Sequence, residues 1–270
     1  MTIDISTLWD FNKPEISEER FRSALSTASA DDTIILQTQI ARTYGLRRDF
    51  SQARQILANI EPQIQNANIE AKVRYYLELG RTYSSATHPP ESQTAEVREL
   101  ARSAYMRAVE LAQNGELDSL AIDALHMMTF VDTEPEEQVE WNRKVMALMQ
   151  SSTQQDAKKW AGSLHNNMGY VLYLLKHYED ALVEFELALD AHEQVGNPQK
   201  IRVAHWMIAW TLRALGQINE ALEIQLQLEK ECDEAGDPDP YVFEELELLY
   251  KALNNKEKAE FYATRRKATM

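Results

Sequence analysis

The sequence predicts an all-α fold of about six antiparallel helix pairs behind one extra N-terminal helix. Three observations predict it. Residues that favour helix (Ala, Leu, Glu, Gln) are abundant, while 270 residues contain only eight Gly and eight Pro, too little punctuation for many short strands. Apolar and small residues recur at x, +3, +4 and +7, one stripe of a helix. The stripes themselves recur: Ala181 and Ala221 lie 40 residues apart, and Ala221 and Ala259 lie 38 apart. A helical bundle without repeats has no reason to keep such a period.

The elements follow in chain order. Residues 1–13 have no helical period, and Trp9 and Phe11 are expected to tuck against the first helix. Pro14 and Ser17 start a helix running to about Ser29, with Phe21, Ala24, Leu25 and Ala28 on its stripe. Asp31 and Asp32 are expected to cap the next helix. The pairs then begin. Gln37, Ile40, Ala41 and Tyr44 line one helix; Phe50, Ala53, Leu57 and Ile60 line its partner. The second pair carries Tyr76, Leu79, Gly80 and Tyr83, then Ala101, Tyr105 and Ala108. The third is weakest, with Ile122, Leu125, His126 and Thr129 before Gln138, Asn142 and Val145. Gln138 stands where a small residue is expected. The fourth pair, His165, Met168, Gly169 and Leu172 with Ala181, Phe185 and Ala188, is the clearest. His205, Ile208, Ala209 and Leu212 with Ala221, Gln225 and Leu228 form the fifth. Phe243, Leu246, Glu247 and Tyr250 with Ala259, Ala263 and Arg266 form the sixth. The recurrent Ala or Gly marks where two helices approach closely. The organisation expected is an N-terminal segment and capping helix over 1–32 and a single repeat domain over 33–270. Gly80 and Ala101 are 21 positions apart, against 12 for Gly169 and Ala181, so residues 84–93 are expected to form an exposed loop or a helix extension.

Composition narrows the function classes. A net charge of −15 opposes phosphate backbones and acidic membranes, and no basic stripe offsets it. Its simplest reading is solubility. Cys232 is the only cysteine, so no intrachain disulfide forms, which fits a reducing, cytoplasmic compartment. The N-terminus reads as no signal peptide, and no apolar run approaches the ~20 residues needed to span a bilayer. The six histidines have no metal-ligand spacing, and no phosphate-binding loop, nucleophile elbow or dinucleotide fingerprint occurs. The expectation is therefore no enzyme, no cofactor and no metal.

Tyr76-x-x-Leu79-Gly80-x-x-Tyr83 resembles the first-helix signature of tetratricopeptide repeats, and Ala181-x-x-x-Phe185-x-x-Ala188 resembles the second. The resemblance covers roughly 33–268. A period of 38–40 exceeds the family's 34, and Leu164-His165-Asn166-Asn167-Met168-Gly169 is similar to longer repeats of the kinesin light chain type. The resemblance implies a right-handed α-solenoid with a concave groove lined by the first helix of each pair, binding a peptide or extended protein segment. The lysine and asparagine set of the family's carboxylate clamp is incomplete here, so a chaperone-tail partner is not assigned.

Groove residues lie one step around the helix from the buried stripe. This rule selects Asn166, Asn167, Tyr170 and Tyr173; Trp206, Met207, Trp210 and Arg213; and Arg42, Arg74 and Arg81. It also selects Gln39, Leu77, Glu78, Asp123, Met127, Phe130, Ser163 and Val203. An Asn amide can bond both polar groups of an extended backbone. The aromatics offer an anchor pocket, and the arginines a basic patch for carboxylates. Each has a competing reading: solvated Asn, core Trp206 and Trp210, and arginines in surface ion pairs. Partners expected are an unknown protein or peptide, no nucleic acid and no membrane. A homodimer through the fifth pair, or a receptor for a small signalling peptide or ligand, stays open as the alternative.

Overall fold

The computed structural model describes residues 3–269 and resolves into two compact units, one ending at Lys158 and one beginning at Lys159. The described residues contain no strand.

In the first unit, a 3₁₀ turn at Ile5–Leu8 leads to α1 (Pro14–Ala24). Pro14 opens α1 because the missing N–H is one the helix start leaves unpaired anyway. The helix ends earlier than expected, in a 3₁₀ turn at Leu25–Thr27. The cap of α2 (Ala30–Leu46) is Ser29, whose hydroxyl accepts from the Asp32 amide, not either aspartate. Asp32 completes the cap from inside by accepting the Ser29 hydroxyl at 2.7 Å. α3 (Phe50–Ile64), α4 (Ile69–Arg81), α5 (Ala95–Asn114), α6 (Asp118–His126) and α7 (Pro135–Ser151) follow. α6 is short and finishes as a 3₁₀ turn over Met127–Phe130, so the weak third repeat has a truncated first helix. Gln138 uses its amide there, donating to the Thr129 carbonyl at 2.9 Å. The insertion is no helix extension. It is a loop with one 3₁₀ turn (Pro90–Ser92), held by Gln93 donating to the Tyr83 carbonyl and by His88 stacked on Phe50 at 3.7 Å.

The second unit is three pairs: α8 (Ala161–Leu174) with α9 (Tyr178–Val195), α10 (Pro198–Ala214) with α11 (Ile218–Glu234), and α12 (Pro240–Ala252) with α13 (Lys256–Thr269). The stripes read from the sequence supply most of the core, although His165, His205, Ala263 and Arg266 on them are only partly buried. Ala181, Phe185, Ala209, Ala221 and Phe243 are fully buried. The turns inside pairs place Lys176, Gly216 and Asn254 at φ 63°, 79° and 56°, the left-handed geometry that closes a helix in one residue.

Candidate functional site

The first helix of each pair sets the geometry in the second unit. Helical spacing aligns Tyr170 and Tyr173 on α8 with Trp206 and Trp210 on α10, and Tyr241 begins α12 on the same side. The rings form a connected ladder. Tyr173 stacks on Trp210 with centroids 3.4 Å apart, and Tyr170 meets Trp210 at 6.3 Å. Trp210 lies parallel to Trp206 at 5.7 Å, and Tyr241 meets Trp206 edge-on at 6.5 Å. Tyr170 and Tyr241 are 46% and 64% exposed, while both indoles are half-buried. The indoles therefore back onto the core with one part of each ring and leave the rest open. Tryptophan suits that position, being large, rigid and apolar over most of its surface.

Arg213 closes one end of the ladder. Its guanidinium donates to both oxygens of Glu245, at 2.6 and 2.9 Å. That bidentate geometry raises the Arg213 pKa. Burial and Arg213 together raise and lower the Tyr173 phenol, and burial wins, so it sits above its ordinary value. Beside Trp206 and Tyr241 opens a cavity of about 460 Å³, lined chiefly by Val203, Met207, Leu228 and Val242, with Arg202 and Asp237 at its polar side.

Five of the residues selected from the sequence thus come together: Tyr170, Tyr173, Trp206, Trp210 and Arg213. Asn166 and Asn167 sit half-buried on α8. Met207 does not join the open face. It is 8% exposed, packs in the core with Trp206 and Trp210, and lines the cavity. Tyr241 and Glu245 were missed, although the rule that selects Val203 and Met207 selects them when carried one repeat of 38 residues further.

Arg42, Arg74 and Arg81 belong to the first unit, and each faces a carboxylate. Arg74 pairs with Glu70 at 2.8 Å. Arg81 reaches Glu78 and Asp123, both at 2.5 Å, and Arg42 lies 3.7 Å from Glu78. The Glu78 side chain is 2% exposed, so the Arg81 and Arg42 contacts are interior pairs, while Arg74 and Glu70 form a partly exposed pair within α4, and no basic patch results. Burial alone would raise the Asp123 carboxyl, but Arg81 and then Arg42 outweigh it and hold it below the usual range. Burial lowers the Arg42 pKa, and Arg81 adds to the effect. Leu77 and Met127 are core residues.

Among the described residues no group of three or more His, Cys, Asp or Glu is placed to hold a metal ion, and no helix is long and apolar enough to cross a membrane. His165 spends its Nδ1 on Glu184 at 2.7 Å.

The arrangement defines a repeat protein of stacked helix pairs. Residues 160–229, from the start of α8 into α11, match the tetratricopeptide repeat family model. A search of curated proteins gave no match. Solved structures share the fold at low identity. The apo form of RapI is 14% identical with a TM-score of 0.71, over 98% of this chain and 73% of that one. A signal transduction ATPase with a tetratricopeptide repeat sensor, from Pyrococcus horikoshii, is 12% identical with a TM-score of 0.68. That match covers 94% of this chain but 39% of that protein, so the chain spans well under half its length. A Rap protein complexed with Competence and Sporulation Factor is 13% identical with a TM-score of 0.59, over 98% of this chain and 73% of that one. The chain thus has the fold of a tetratricopeptide-repeat helical solenoid.

Proposed function

We propose that this protein is a non-catalytic interaction scaffold that holds an extended peptide or protein segment on the open face of α8, α10 and α12. The observation that carries this reading is the aromatic ladder from Tyr170 to Tyr241, which spans three repeats and stays partly open. Rigid aromatics lose little conformational freedom on binding and supply most of the energy at interface centres. The cavity beside Trp206 fits an apolar anchor side chain, while Asn166 offers its amide group to the backbone of the bound segment. A solved Rap protein of the same fold, complexed with Competence and Sporulation Factor, supports the same use of the fold.

Site-selective photo-crosslinking tests it. A photoreactive phenylalanine replaces Tyr170 or Tyr241 in the full chain, with Val183 on α9, 54% exposed, as the control position. A cross-linked partner at 170 and 241 but not at 183 is expected. Asn166→Ala should weaken capture with little change in melting temperature. Cross-linking no better at 170 and 241 than at 183 overturns the reading.

A further inference from the structure

The inner face of α2 in the first unit already has an occupant. The Trp9 indole N–H donates to Gln39 Oε1 at 3.0 Å. Trp9 and Phe11 stack with centroids 4.5 Å apart and planes 3° from parallel. The Arg42 guanidinium carbon lies 5.5 Å from the Trp9 ring centre and 5.2 Å from that of Phe11. One cation thus serves two stacked rings, a favourable use of their negative faces. Trp9 also meets Phe21 edge-on at 5.0 Å.

These contacts differ from ordinary core packing in two ways. They are polar and directional, an indole N–H on an amide oxygen and a guanidinium beside two rings. They also fall on special repeat positions. Counted along the repeat, Gln39 matches Asn167 of α8, and Arg42 matches Tyr170 of α8 and Trp210 of α10. The corresponding positions of the second unit form its half-open face. In the first unit the chain's own residues 9–11 cover them, and Phe11 remains 56% exposed, at the edge of the contact.

We propose that this face of α2 is a recognition site for an extended segment bearing an indole and a phenyl ring two residues apart, and that residues 9–11 are its built-in occupant. An outside segment of that chemistry competes with the N-terminal residues for Gln39 and Arg42. The inference is independent of the reading for α8, α10 and α12, because its test uses only first-unit residues.

The test uses the full chain carrying Trp9→Ala and Phe11→Ala, with circular dichroism to verify the fold. The probe is a synthetic peptide of residues 3–13, fluorescein-labelled and followed by anisotropy. Saturable binding at least 10-fold tighter than to the natural chain is expected. Adding Arg42→Gln to the double variant should weaken binding at least 10-fold, and a peptide carrying Trp9→Ala should not bind. A folded double variant that binds the peptide no better than the natural chain, or that is indifferent to Arg42→Gln, overturns the proposal and leaves residues 9–11 a fold cap only. If the double variant is unfolded, Phe11→Ala alone replaces it, because that side chain lies at the exposed edge. A gain of at least 3-fold is then expected, and no gain overturns the proposal.

Discussion

The ring of Tyr105 fills the space that a side chain at residue 80 would need: a Cβ added to Gly80 would lie 2.5 Å from Tyr105 Cε1. Tyr105 cannot retreat, because it is fully buried and its hydroxyl donates to the Ser84 carbonyl at 2.5 Å. Gly169 and Phe185 repeat the relationship in the second unit, at 2.7 Å. Gly80→Ala gains the helix preference of alanine but overpacks the pair, at a cost of about 1–3 kcal/mol, so net destabilisation is expected. Gly45, late in α2, has nothing within 4 Å of such a Cβ. Gly45→Ala should therefore stabilise by about 0.5–1 kcal/mol. Urea unfolding of the two variants checks the opposite signs, and a stabilised Gly80→Ala would refute the packing account.

Gln225 occupies the repeat position held by Tyr105 and Phe185, and by Leu57 in α3. It is fully buried, and neither polar atom of its amide has a hydrogen-bond partner among the described residues. An unpaired buried amide costs about 1–3 kcal/mol. Gln225→Leu should thus stabilise the protein by roughly 1–2 kcal/mol. That corresponds to a melting temperature higher by about 2–8 °C. A fall in melting temperature would show that the amide has a partner, such as ordered water.

Glu245 is 4% exposed in its side chain and depends on Arg213. Arg213→Ala strands a buried carboxylate, and because Arg213 itself is partly solvated the expected loss is about 2–3 kcal/mol, below the roughly 3–5 kcal/mol of a fully buried pair. Arg213→Met with Glu245→Leu removes both charges and should recover all but about 1 kcal/mol. A double-mutant cycle by chemical denaturation measures this, and additive single losses would deny the coupling.

His88 gives the first unit a pH dependence. Its Nε2 faces the Thr82 carbonyl at 3.1 Å, which can only accept, so Nε2 carries the proton and Nδ1 accepts from Ser85, at 3.0 Å. Burial lowers its pKa below the ordinary 6.5, and burial does the same to His126 and His192. The unfolded chain therefore binds protons first as pH falls. The stabilisation is fully present above about 6.5 and is lost as pH drops from there through the folded value. Unfolding free energies at pH 8 and pH 5.5 should show this loss, and His88→Gln should make the difference smaller. An unchanged difference would remove His88 from the account.

The repeat was legible because burial and period act together: a residue facing a partner helix must be small or apolar every time the unit recurs, so Gly80, Ala181, Phe185 and Ala221 announce themselves. Register alone also selected Tyr170, Tyr173, Trp206, Trp210 and Arg213. What register cannot specify is how deep a position lies or what stands opposite it. Met207 and Trp206 are neighbours in the sequence and were selected together, yet one is core and the other half-open. Glu78 and Arg81 stand three residues apart on α4 and pair within that helix, but only the packing of α2, α4 and α6 brings Asp123 to Arg81 and Arg42 within 4 Å of Glu78, turning a basic patch into ion pairs. Trp9 had no period to place it, and its bond to Gln39 joins residues 30 apart. The sequence by itself therefore determined the helices, their pairing and their buried faces, all of which follow from short-range periodicity. Only the tertiary structure decided which polar side chains are neutralised and which aromatics stay open, because those properties depend on atoms brought together from distant parts of the chain.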